Sequence, residues 1–191
     1  MKITCSKPFL LAVVLLFLLD DRGFYLLVFG GALVHETGHL IAMLLLRCRV
    51  ERLEFRLSGL RLDYTEGHLG YGRDAFIALS GPGANLLAAG VLVLCSPAQP
   101  TEKLYLAIGV QVLLAGFNLL PALPMDGGRA LQAIACHRLG VEKGLQAVRF
   151  STALVAAGML GVGLYACKAP WYNPTLLITS LLLVVGLMKI K

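Results

Sequence analysis

Two histidines and a glutamate, His35, Glu36 and His39, stand in the middle of an apolar run that extends from Gly23 to Leu46. On a helix, residues four apart project from one face, so the two imidazoles can hold a single zinc ion while Glu36 beside them serves as general base. The flanks, Phe24 to Phe29 on one side and Leu40 to Leu46 on the other, suit lipid rather than a water-filled cleft. A charge at the centre of a membrane helix costs about 2.5–3.5 kcal/mol on insertion scales, so ionisable groups placed there are expected to converge on one partner. Among the 11 acidic residues Glu36 falls within an apolar span and Asp126 near the edge of one, and of the four histidines only His35 and His39 fall within one. Zinc is the expected partner, one ion per chain. His35, His39 and Asp126 supply an N, N, O set and leave a fourth position for water, the open coordination of a catalytic site. Zinc-bound water with a pKa of about 7 would attack a peptide carbonyl while Glu36 takes its proton and hands it to the leaving amine.

The elements that position these groups follow from composition. With 58% hydrophobic residues, 15% charged residues and a mean hydropathy of +0.78, the 191 residues are expected to form a polytopic membrane protein. Apolar runs near 3–19, 23–46, 75–95, 104–123, 151–167 and 175–190 give six transmembrane helices in an all-α fold. Six spans place both termini on the same side as the loops after the second and fourth. That side holds 14 of the 17 basic residues, against Arg22, Lys103 and Lys168 opposite, so both termini and the opening of the site are expected to be cytoplasmic, in a bacterial cytoplasmic membrane. The net charge of +6 is explained by this topology, and no nucleic-acid partner is expected. Five dispersed cysteines without a C-x-x-C pair exclude a disulfide framework and a thiolate metal site. The basic start followed by an apolar stretch to Leu19 lacks a small-residue cleavage site and reads as an uncleaved first span.

Three stretches surround the presumed centre. Leu53, Phe55 and Leu57 alternate with charged residues, a break at Ser58-Gly59 follows, and Leu60 and Leu62 resume the alternation, which predicts a β-hairpin between the second and third spans. It is either a surface hairpin without a role or an edge strand that holds an extended substrate through main-chain hydrogen bonds. His68, in a glycine-rich connector, is read as solvated. Ser80-Gly81-Pro82-Gly83-Ala84-Asn85 predicts a span packed inside the bundle, with Asn85 as glue between helices. In Asn118-Leu119-Leu120-Pro121-Ala122-Leu123-Pro124-Met125-Asp126-Gly127-Gly128, two prolines and a double glycine predict that the chain unwinds at membrane depth, with helix resuming from Arg129 to Leu139 and stopping at Gly140. Asn118 either donates to the substrate carbonyl and oxyanion or caps the broken helix.

His35-Glu36-Thr37-Gly38-His39, Gly81-Pro82-Gly83-Ala84-Asn85 and the Asn118 to Gly128 stretch together resemble the three signature motifs of the site-2 proteases, intramembrane zinc metalloproteases, and most resemble the branch typified by stage IV sporulation protein FB. The resemblance covers about residues 8 to 135. It implies that His35, His39 and Asp126 bind zinc, that Glu36 is the catalytic base, and that Asn118 binds substrate or the transition state. It further implies that Asn85 helps position the substrate-binding region and that the hairpin is a re-entrant sheet offering Leu53, Phe55, Leu57, Leu60 and Leu62 as a substrate edge. The expected protein is a single domain over 1–191, with a catalytic core at 23–130 and a cytoplasmic helix and two spans at 131–191. It cleaves a membrane-embedded or membrane-associated protein and releases a fragment to the cytoplasm, in regulated intramembrane proteolysis such as that of sporulation. Neither a PDZ nor a cystathionine-β-synthase domain is expected, so a separate membrane protein is the expected regulator. Met125, where leucine is common, is a conservative departure. A metal-ion transporter and a silent scaffold of the same fold are the rivals. The first would need polar groups spaced through the membrane, and Glu36 argues against the second.

Overall fold

The computed structural model describes residues 2–5, 14, 18, 20, 23–48, 50–56, 59–64, 70–166 and 175–187, with the strands described by their backbone. The chain divides into two compact units, Met1–Leu69 with Ser80–Gly116, and Gly70–Leu79 with Phe117–Lys191.

In the first unit, helix α1 (Phe24–Leu45) carries the histidines. It starts where the carboxylate of Asp20 accepts the N–H groups of Phe24 (2.8 Å) and Leu26 (3.1 Å), an anion at the positive end of a helix. It stops at Arg47, left-handed at φ 55, past which Cys48 N–H reaches back to Met43 O at 2.9 Å. Its buried residues, Gly31, His35, Gly38, His39, Ala42 and Met43, line one face. Leu33, Ile41, Leu44 and Leu45 are exposed. Polar and small groups inward, large apolar groups outward, is the arrangement of a helix whose solvent is lipid.

Strands β1 (Lys2–Cys5), β2 (Val50–Arg56) and β3 (Gly59–Tyr64) form one sheet in the order β1-β2-β3. β2 and β3 are antiparallel, with Leu53 opposite Leu62 and Phe55 opposite Leu60, and a register shift lies between Val50 and Arg52. Two expectations are corrected here. Gly59 pairs with Arg56 inside the ladder, so it is not part of the expected Ser58-Gly59 break, and Leu57 and Ser58 lie outside the described residues. The first apolar run does not begin at residue 3, because Lys2–Cys5 pairs in parallel with Arg52–Phe55 as a third strand. That parallel partner had no local signal, since parallel pairing joins segments distant in sequence.

Helix α2 (Tyr71–Leu94) begins in the second unit and continues in the first, unbroken at Pro82. Ala75, Ala78, Gly81, Pro82, Asn85 and Ala89 form a buried stripe at helical spacing, while Leu87, Val91, Val93 and Leu94 are exposed, so one face of this span is packed and the rest is not. Helix α3 (Glu102–Asn118) ends five residues before the expected 123.

The second unit contains α4 (Asp126–Leu139), α5 (Val141–Ala166) and α6 (Thr175–Leu187). Ala75 and Ala78 of α2 pack on Ala130 and Ala133 of α4, and Ala122, Ala156 and Leu183 form a second cluster bordered by Met125, Val155 and Met159. Gly140, at φ 82, separates α4 from α5 as expected. Among the described residues, α1, α2 and α5 are long and apolar enough to cross a membrane, the pattern of a multi-pass membrane protein. α6 contributes a shorter apolar stretch, Leu177–Gly186. The expected first span lies mostly outside the described residues.

Candidate metal centre

His35 and His39 are one turn apart on α1, 7% and 8% exposed, and their Nε2 atoms lie 3.2 Å apart. Two imidazole nitrogens at about 2.0–2.1 Å from one tetrahedral ion would be about 3.3–3.4 Å apart, so the pair is spaced to share a metal. The orientation of each ring is held from behind. His35 Nδ1 is 2.7 Å from Asn85 Oδ1, and His39 Nδ1 is 3.4 Å from Ser80 Oγ. Because an amide oxygen only accepts, the proton of neutral His35 sits on Nδ1, and Nε2, on the side facing His39, carries the lone pair that would ligate a metal.

Glycines let α2 come this close. A Cβ at Gly81 would meet His39 Nε2, His39 Cε1 at 2.6 Å and His35 Nε2 at 2.8 Å. On α1, a Cβ at Gly38 would meet Ser80 O at 2.5 Å and Ala84 Cβ at 2.7 Å. The Gly81-to-Asn85 segment is therefore the wall of the histidine site.

Asp126 is reached differently. After Asn118 the chain is non-helical through Met125, with Leu123-Pro124 in cis, and Asp126 opens α4. Within the loop Ala122 N–H donates to Leu120 O and Met125 N–H to Ala122 O, both at 2.8 Å. Two hydroxyls of α5 complete it: Thr152 Oγ1 accepts Leu123 N–H at 3.1 Å and itself donates to Val148 O, while Ser151 Oγ donates to Pro121 O. The expectation that Gly127 and Gly128 belong to the unwound stretch is corrected, because both lie in the first turn of α4. A Cβ on Gly127 would meet Leu119 and Leu120 carbonyl oxygens, and one on Gly128 would meet Ala122 O and Leu123 N. The glycines are there to let the loop fold back on the helix.

His35 and His39 in the first unit and Asp126 in the second are each buried. Two imidazoles and a carboxylate are a donor set of the kind that holds zinc in catalytic sites. Glu36 is half-buried on α1 next to His35, and Asn118 is half-buried as the last residue of α3. Leu53 and Phe55 lie in β2, Leu60 and Leu62 in β3.

Asn85 is 0% exposed and spends its amide on His35 Nδ1, on Gly31 O at 2.9 Å and on Gln111 Oε1, so it ties α2 to both neighbouring helices and backs the histidine. Gln111, 8% exposed on α3, was missed, although a lone amide midway through an apolar run was its signal. Ser151 and Thr152 left no such signal, since hydroxyls are common glue in apolar helices.

No protein-family model matches the chain. It is similar to a zinc metalloprotease of Methanocaldococcus jannaschii, 30% identical over 128 residues that cover 62% of this chain and 36% of the relative. A putative zinc metalloprotease of Synechocystis is 29% identical over 149 residues, 72% of this chain and 39% of the relative. A putative zinc metalloprotease of Mycobacterium tuberculosis is 30% identical over 159 residues, 74% of this chain and 40% of the relative. The chain thus spans well under half the length of these relatives. Among solved structures, the site-2 protease of M. jannaschii matches with a TM-score of 0.67 at 24% identity, covering 99% of this chain and 91% of that one, so the two share a fold.

Proposed function

We propose that this chain is a member of the site-2 protease family and acts as an intramembrane zinc metalloendopeptidase, with His35, His39 and Asp126 as metal ligands. The stage IV sporulation protein FB-like branch is the subgroup its motifs most resemble. The observation that carries the proposal is the converging Nε2 pair, 3.2 Å apart, with the ring of His35 held by Asn85. The motif order, the shared fold and the names of the similar proteins support it.

Zinc, when bound, supplies a Lewis acid that lowers the pKa of water to about 7. The chain's own residues do the rest. Glu36, one residue from His35, takes the proton of the attacking water and returns it to the leaving amine. Asn118, at the point where α3 gives way to the loop, donates to the scissile carbonyl as charge builds on its oxygen. A substrate segment must be extended for its carbonyl to be reached, and the edge of β3, which pairs only with β2 among the described residues, can hold it by strand addition. The charge asymmetry supports an opening of the site on the cytoplasmic side, with release of the fragment there.

The test is made on the purified chain in detergent, with zinc content and cleavage of labelled casein and of co-expressed single-pass membrane proteins as readouts. Glu36→Gln is expected to keep one zinc and lose cleavage; His35→Ala and Asp126→Ala are expected to lose the zinc. Parental cleavage by Glu36→Gln would sink the mechanism, and parental zinc content in either ligand variant would sink the ligand set. Proteins that accumulate uncleaved beside Glu36→Gln in cells then name the substrate.

A further inference from the structure

We propose that Gln111 is a positioning residue for the metal centre, acting through Asn85 on the ring of His35. This rests on the reading of His35 as a zinc ligand. A primary amide has one acceptor oxygen and two donor hydrogens, and Asn85 uses all three: Oδ1 receives His35 Nδ1–H, while Nδ2 donates to Gly31 O and Gln111 Oε1. Turned over, the same amide would set N–H groups against His35 Nδ1–H and its oxygen against two acceptors. Gln111 is thus one of two groups that choose the orientation of Asn85, and Asn85 in turn chooses which nitrogen of His35 faces the metal.

Burial gives this chain of bonds its strength. Asn85 is 0% and Gln111 8% exposed, so no water competes for either amide, and successive bonds polarise one another towards the imidazole. An Asn85 oxygen made more negative by this relay makes His35 Nε2 a more basic ligand. The bland alternative, that Gln111 only pins α3 to its neighbours, predicts an effect on stability with none on the metal. Gly31 admits α3 at this level, since a Cβ there would lie 2.8 Å from Leu114 Cδ1 and 2.9 Å from Val110 Cγ1, with Gln111 Nε2 at 3.8 Å.

The experiment measures zinc affinity of the full chain in detergent by chelator competition, together with the visible spectrum of the cobalt-substituted protein, which reports ligand symmetry. Gln111→Met, close in volume and without an acceptor oxygen, is expected to weaken zinc about tenfold and shift the cobalt bands, within the range of outer-shell substitutions at metal sites. Asn85→Ala is expected to weaken it by about a hundredfold at most. The double variant is expected to bind no more weakly than Asn85→Ala alone, because the second residue acts only through the first. Gln111→Glu, which keeps an oxygen facing Asn85 Nδ2, is expected to retain most of the affinity. Parental affinity and cobalt spectrum in Gln111→Met, or losses that simply add in the double variant, would overturn the proposal. Zinc binding indifferent to His35→Ala would instead overturn the metal-site reading beneath it.

Discussion

The histidine pair and the aspartate are built by opposite means. His35 and His39 sit on an uninterrupted helix, and what orients them is side-chain chemistry from α2 and α3: Asn85, Ser80 and Gln111. Asp126 sits at the first residue of a helix, and what orients it is the backbone ahead of it, folded onto Gly127 and Gly128 and tied to α5. Glycine serves both regions, yet at Gly81 the excluded space is filled by imidazole ring atoms, and at Gly127 and Gly128 by peptide groups. A crowded ring can swing away, whereas a crowded peptide can move only if the loop does.

The sharpest way to break this contrast is Gly81→Ala. A methyl there overlaps both Nε2 positions, and His35 cannot give way without leaving Asn85. Zinc affinity is expected to fall by more than about a hundredfold, beyond the outer-shell range, with the thermal unfolding midpoint close to that of the parent. Stoichiometric zinc in this variant would show that the two rings do not share a metal in the geometry described. Gly128→Ala should do the reverse. Its methyl meets Ala122 and Leu123 main chain, so the variant is expected to lose about 3 kcal/mol of stability, the upper part of the overpacking range, measured by denaturant titration in mixed micelles. Parental stability would mean the loop can retreat, and the contrast between the two regions would fail.

The same contrast explains what could be seen in advance. Two histidines four residues apart, a glutamate between them and an apolar run around them are local facts, and the histidines lie on the buried face of α1. Asp126 was legible as an acid at the end of an apolar span, and the broken helix from its prolines. The role of Gly127 and Gly128 was not, since it depends on a loop folding back over them. Asn85 was visible as a polar residue among small ones, but its partner was decided by where α1 and α3 lie, and a sequence does not rank a histidine against a substrate as that partner. The parallel strand Lys2–Cys5 was hidden for a related reason: its pairing with Arg52–Phe55 joins segments about fifty residues apart, and a parallel pair is not closed by a tight hairpin.

The smallest effects distinguish the two hydroxyls of α5, and they show how the loop is held. Thr152 is fully buried and sits between Leu123 N–H and Val148 O. Thr152→Val keeps its shape and strands the Leu123 N–H, so a loss of about 1–3 kcal/mol is expected, the cost of a buried donor without a partner. Thr152→Ser keeps the hydroxyl and should recover most of it. Ser151 donates to Pro121 O at an exposed position, and losing it leaves a carbonyl rather than a buried N–H without its partner, so Ser151→Ala is expected to cost about 0.5 kcal/mol, the low end for a net hydrogen bond. Thermal unfolding midpoints of the three variants in one detergent give the order. A larger loss from Ser151→Ala than from Thr152→Val would mean that the loop hangs from its proline carbonyl, and that the buried Thr152 contact merely fills space.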